Sequence, residues 1–258
     1  MSNQLTVKDY FHQDSVMTQF REVLGEREAN AYVASVLIAV ANNDALQKCN
    51  PISIITSAMR AATLQLSCDP SLGQAYLVPF GNKCTLIVGY KGLIHMAFRT
   101  GKYRFLNVAN IYEGEYLTEN RLTGLHTLNG GKQSDKVVGY LLYFQLINGF
   151  EKTFYMSVDE IHAHGKRYSK SYNREDSPWK THTADMERKT PLRLGLSRWG
   201  YFDPHDQMVM QQIDKSEDED TIEAEVEIPA EFEPEPNTAY QEAVKKKSEA
   251  QLLMELGY

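Results

Sequence analysis

The sequence predicts an α+β fold: a helical N-terminal part, an antiparallel β-sheet with hairpins, C-terminal helices and then a disordered acidic tail. Three observations carry this. Apolar residues recur at helical spacing up to residue 66. Aromatic and β-branched runs broken by Gly-containing turns follow, up to residue 156. After Ile213 the composition becomes acidic and proline-containing.

Residues 29–43 carry no charge and read as a buried helix. Asn50-Pro51 has the form of an N-cap followed by proline at the first helical position. Behind it Ile52, Ile55, Met59, Ala62 and Leu66 recur at steps of three and four. That places them on one face of an amphipathic helix, for core packing or, alternatively, self-association. Residues 76–80 and 85–88 read as strands around a Gly81-Asn82 turn. Residues 136–147 and 150–156 flank Asn148-Gly149, a strong hairpin signal. Asn129-Gly130-Gly131 reads as a further turn. Ser157, with Glu160 three residues on, forms a capping box that opens a helix over 157–166. Ser177-Pro178 opens another, to about Trp199, which Pro191 is expected to kink or interrupt.

The chain of 258 residues allows one large domain, or one domain with appendages, and 42% hydrophobic residues suffice for a sizeable core. The expected division is a core over 1–213, an acidic disordered linker over 214–237 and a short C-terminal helix over 238–258, a candidate partner contact. No stretch reaches the ~20 apolar residues of a membrane helix. The N-terminus lacks a basic region followed by an apolar run, so the cytoplasm is the expected location. Cys49, Cys68 and Cys84 show no CxxC spacing and read as reduced core thiols. The net charge of −7 is unevenly spread: residues 1–213 carry 23 Lys and Arg against 20 Asp and Glu, and residues 214–258 carry 4 against 14. From Pro70 to Tyr112 there are five basic residues and no acidic one. Local charge decides attraction of an anionic partner more than the total does.

Three constellations could bind a polyanion. On a helix at ~100° per residue, Lys91, His95, Arg99 and Lys102 fall within an arc of ~80°, with no carboxylate to offset them and with Leu93, Ile94, Met96, Ala97 and Phe98 on the opposite side. Arg104 follows closely. Such a face tracks phosphates or is simply solvated. The second, Lys166, Arg167, Tyr168, Lys170, Tyr172 and Arg174, interleaves cations with tyrosines that could stack on bases, or is a polar loop between helices. The third comprises Trp179, Lys180, Arg188, Lys189 and Arg193. There Lys189 and Arg193 share a helical ridge, while the tryptophans, Trp199 above all, could equally be core.

Two enzyme readings compete. Asp185-x-Glu187-x-Lys189 echoes metal-dependent nuclease sites, which need carboxylates converging on a metal; a metal-dependent DNA nuclease is therefore the alternative function. His162, His164 and His182 stand at no recognised ligand spacing and read as surface histidines. No phosphate-binding GxxxxGK[ST] loop is present, so no nucleotide-driven motor and no cofactor is expected. A third possibility is an interaction scaffold acting through the acidic tail.

Three separated motifs, in order and in register, resemble the RecT family of phage and prophage recombinases. They are Asp69-Pro70-Ser71-Leu72-Gly73-Gln74-Ala75-Tyr76-Leu77-Val78-Pro79-Phe80, then Gly89-Tyr90-Lys91-Gly92-Leu93-Ile94, then residues 177–182 with Asp185-Met186 and Arg188 to Arg193. The resemblance spans about residues 50–199. It implies an α+β core that assembles into rings or helical filaments, binds single-stranded DNA and its annealed duplex, and anneals complementary strands without ATP. A partner exonuclease and, as a further candidate, a single-strand-binding protein are implied. It also implies that Lys91 and the Lys180 to Arg193 group lie near bound DNA.

Overall fold

Five helices form the N-terminal part of the described residues, three of them starting on a capping side chain. In the computed structural model, which describes residues 6–169, 171–175 and 177–218 (214–218 as backbone alone), they are α1 (Val7–Phe11), α2 (Asp14–Leu24), α3 (Glu26–Ala41), α4 (Asp44–Gln47) and α5 (Pro51–Thr63). Asn50 caps α5, its side chain accepting from Ile52 N at 2.9 Å. The buried face of α5 is Ile54, Ile55, Ala58, Ala61 and Ala62, while Ile52 and Met59 are half-buried and Leu66 lies past the helix end. The expected stripe is thus rotated. The reason is that Ser53 and Ser57, one turn apart, face inward: Ser53 Oγ accepts from Cys84 N at 2.9 Å and Ser57 Oγ donates to Cys84 O at 3.0 Å. The helix satisfies the backbone of a neighbouring strand through two hydroxyls.

That strand belongs to the hairpin β1 (Ala75–Phe80) and β2 (Lys83–Val88), which turns through Gly81. The three cysteines are free and buried, as expected; burial pushes the Cys68 thiol up to about 11 and the Cys84 thiol up to about 12. Helix α6 (Tyr90–Arg99) leads into β3 (Tyr103–Tyr112), β4 (Glu115–Asn120), β5 (Leu125–Gly130), β6 (Val137–Leu146) and β7 (Glu151–Ser157). Strands β3, β6 and β7 form one antiparallel sheet in that order, and β4 and β5 form a separate hairpin. Asn148-Gly149 makes the expected turn, with Phe150 in it rather than in the strand. Asn129 and Gly130 finish β5 instead of turning. Strands β4 and β5 escape sequence reasoning because most of their residues face solvent, so no apolar alternation marks them.

Helix α7 (Val158–Tyr168) has the complete capping box, with Ser157 and Glu160 bonded reciprocally. The next segment is split into α8 (Pro178–Thr181) and α9 (Thr183–Trp199), with the break at His182, while α9 runs on through Pro191. Packing explains this: Pro191, Leu192, Gly195 and Leu196 are buried, and a Cβ on Gly195 would meet Leu142 of β6 and Phe154 of β7. Helix α10 (Pro204–Asp218) extends five residues into the segment expected to be an acidic linker. Asp206, Val209 and Ile213 give it a buried stripe. The remainder of that linker and the expected C-terminal helix lie outside the described residues.

Candidate nucleic-acid interface

Two of the recognised motifs are one construction. Gly89 N donates to Gln74 O at 2.7 Å, and a Cβ on Gly89 or Gly92 would collide with the backbone oxygen of Gly73 or Gln74. Both glycines therefore let the start of α6 sit directly on the 69–76 turn. The stem of Lys91 lies across Gly73 beside the Tyr76 hydroxyl. Lys91 and His95 are exposed one turn apart, above buried Leu93, Met96 and Ala97.

The rest of the expected arc does not hold together. Arg99 donates to Asp206 Oδ2 at 2.7 Å and to Leu64 O at 2.7 Å, so a carboxylate does offset it. Phe98, placed on the apolar back, is 54% exposed. Lys102 lies past the helix end, where its carbonyl accepts from Ile147 N, and Arg104 stands on β3 over the Phe105 ring. Both belong to the hairpin end of the sheet.

A second feature gathers the other two constellations. An open cleft of about 430 Å³ lies between the β1–β2 hairpin, the end of α7, the loop after it, and helices α8 and α9. Lys189 and Arg193 line it from one ridge of α9, with Thr190 and Ser197 beside them. Tyr168, 61% exposed, stands at its edge under Arg167, whose guanidinium is 5.2 Å from the ring centroid. Arg174 lies 5.7 Å from the ring centroid of Phe80 on the opposing hairpin. His164 lines the wall and is held below the ordinary histidine range, first by burial and then by Arg193, Arg198 and Arg167. The three guanidiniums add to the effect of burial by disfavouring the imidazolium. Lys166 is exposed nearby on the same helix.

Several expected contacts are placed elsewhere. Trp179 is 6% exposed, packed with Tyr172 (centroids 5.2 Å) and His162 (5.9 Å) and against Gly165, so it is floor and not a stacking platform. Tyr172 is half-buried in the same cluster. Lys180 is paired with Glu175, and Arg188 is half-buried and turned to Asn110 Oδ1 at 3.3 Å. Lys170 lies outside the described residues. The nuclease pattern does not converge: Asp185 is exposed, whereas Glu187 is buried and accepts from Tyr140 Oη and His162 Nε2. Among the described residues no group of three or more His, Cys, Asp or Glu could hold a metal ion. His162 is consequently not the surface histidine expected. Sequence reasoning gives Phe80 no place in a binding site and reads His164 as a surface histidine, whereas both line the cleft. Ser197 continues the Lys189–Arg193 ridge by one turn, a signal that could have extended the face, and Phe80 closes the first family motif.

An α+β body whose open cleft is lined by Lys189 and Arg193 above buried Trp179 has the chemistry of a candidate nucleic-acid interface. The RecT family model matches residues 30–231. The chain is 42% identical over 212 residues to a Bacillus subtilis (strain 168) protein described as "Uncharacterized protein YqaK", covering 82% of this chain and 73% of that one. It is 31% identical over 159 residues to Escherichia coli (strain K12) "Protein RecT", covering 58% of each chain. The chain therefore belongs to the RecT family, a family of single-strand annealing in DNA recombination. No helix among the described residues is long and apolar enough to cross a membrane.

Proposed function

We propose that this protein binds single-stranded DNA along the cleft and the Lys91–His95 face of α6 and anneals it to a complementary strand without ATP. The observation that carries this is the open cleft lined by Lys189 and Arg193, with the exposed Tyr168 ring at its edge under Arg167. The cations neutralise phosphates, and a tyrosine face stacks on any base, so the protein supplies no base code. Complementarity between strands does the reading, and stacking of the paired product retains it. Copies of the chain align as a ring or filament so that successive clefts form one track. A partner exonuclease supplies the exposed strand, and a single-strand-binding protein is a further candidate partner.

The test mixes two complementary oligonucleotides with the protein in EDTA, without ATP. Faster duplex formation is expected, and its absence overturns the proposal. Magnesium-dependent loss of full-length strand would instead support the nuclease reading. Lys189→Glu with Arg193→Glu should abolish annealing and flatten the log–log salt dependence of binding by about 0.7 for each phosphate no longer neutralised.

A further inference from the structure

Glu187 is 9% exposed on the inner side of α9 and accepts two hydrogen bonds, from Tyr140 Oη on β6 at 2.7 Å and from His162 Nε2 on α7 at 2.8 Å. A carboxylate can only accept, so the network assigns the His162 proton to Nε2. In the neutral ring Nδ1 is then an acceptor, and Tyr172 Oη, 2.9 Å away, donates to it. The Tyr172 ring packs on Trp179 and lies edge-on to His162.

Tyr172 belongs to the connection between α7 and α8. The same connection places Ser169 and Ser171 on the cleft wall and Arg174 over Phe80. Among its described residues the backbone bonds are local: Tyr172 N to Ser169 O, Arg174 N to Ser171 O, Ser177 N to Arg174 O. Local bonds shape a loop without fixing it to the body. The Glu187–His162–Tyr172 chain reaches from the sheet-packed core out to that loop.

We propose that Glu187, His162 and Tyr172 form a latch that holds the loop between α7 and α8 as one wall of the cleft, and that the latch thereby sets the affinity for single-stranded DNA. Glu187 is a positioning residue that acts through His162. The proposal rests on the reading of the cleft as the DNA site. Its physical basis is preorganisation: a wall already in place costs no ordering when the strand arrives, whereas a loosened wall must be ordered by the strand itself.

Tyr172→Phe in the full chain keeps the ring among Trp179 and His162 and removes only the hydroxyl. Three quantities are read: the melting midpoint, the rate of tryptic cleavage after Arg174, and the affinity for a fluorescent oligothymidylate. The midpoint should hold, cleavage should accelerate, and affinity should fall by about two- to ten-fold, the range one net hydrogen bond supports. Glu187→Gln should match the parent, because a side-chain amide accepts from Tyr140, donates to His162 and lets the ring take its other tautomer. An unchanged cleavage rate in Tyr172→Phe overturns the latch, and so does faster cleavage at unchanged affinity. A Glu187→Gln chain with a loosened loop overturns the assignment of Glu187. Lys189→Glu with Arg193→Glu separates the two levels: if it too binds normally, the cleft reading fails, and if it alone loses binding, only the latch fails.

Discussion

Replacing Arg99 by alanine should unfold the protein more easily without identifying Arg99 as a DNA contact. Its guanidinium bonds Asp206 on α10, the carbonyl of Leu64 at the end of α5, and Gln65 Oε1 at 3.3 Å, so one side chain ties three helices. The Asp206 side chain is 4% exposed and that of Arg99 is 28% exposed. Removing one partner of a fully buried pair costs about 3–5 kcal/mol, because a charge remains without compensation. Partial solvation of Arg99 lowers this to about 2–4 kcal/mol. For a body of this size that corresponds to a midpoint lower by roughly 5–15 °C. Circular dichroism melting measures it. Arg99→Ala with Asp206→Asn should recover about 1–2 kcal/mol relative to Arg99→Ala alone, since the stranded charge is gone. Lys91→Glu is the contrasting change: the Lys91 side chain is exposed, so the midpoint should hold while single-stranded DNA binding weakens. An Arg99→Ala protein that melts within a degree of the parent yet fails to bind DNA would refute this reasoning and return Arg99 to the binding face.

Gly92→Ala should destabilise the chain by about 1–3 kcal/mol, since the new methyl meets the immovable Gln74 carbonyl; an unchanged midpoint would show that α6 can shift off the turn. The His164 imidazolium is held below the ordinary value of 6.5, so the unfolded chain takes up a proton before the folded one does. Stability therefore falls as pH drops through about 6.5 and stops falling below the folded-state value. His164→Gln should flatten the melting profile in that window, and parallel profiles for the two proteins would reject the assignment. Residues 219–258 carry 11 Asp and Glu against 3 Lys, so a chain ending at Asp218 goes from −7 to +1. It should bind single-stranded DNA at least as tightly as the full chain at low salt, a gain that shrinks as the Debye length falls below ~8 Å; weaker binding at low salt would place a DNA contact in the removed segment.

The sequence by itself determined the features whose physics is local. Asn50-Pro51, Ser157 with Glu160, and Ser177-Pro178 mark helix starts because each cap is satisfied within three residues. Gly81 and Gly149 mark turns because each takes a positive φ. The three cation-rich constellations and the family motifs were legible for the same reason: the charges and glycines that matter stand close together in the chain. The tertiary structure alone decided which residues the cations and rings meet. Arg99 and Asp206 are 107 residues apart, Tyr140 and Glu187 are 47 apart, and Phe80 meets Arg174 only across the cleft. No helical rotation drawn from the sequence can foresee a carboxylate arriving from another element. A cation's role depends on whether such a partner or open solvent stands opposite it, because Coulomb energy and desolvation depend on distance in space and not on separation along the chain.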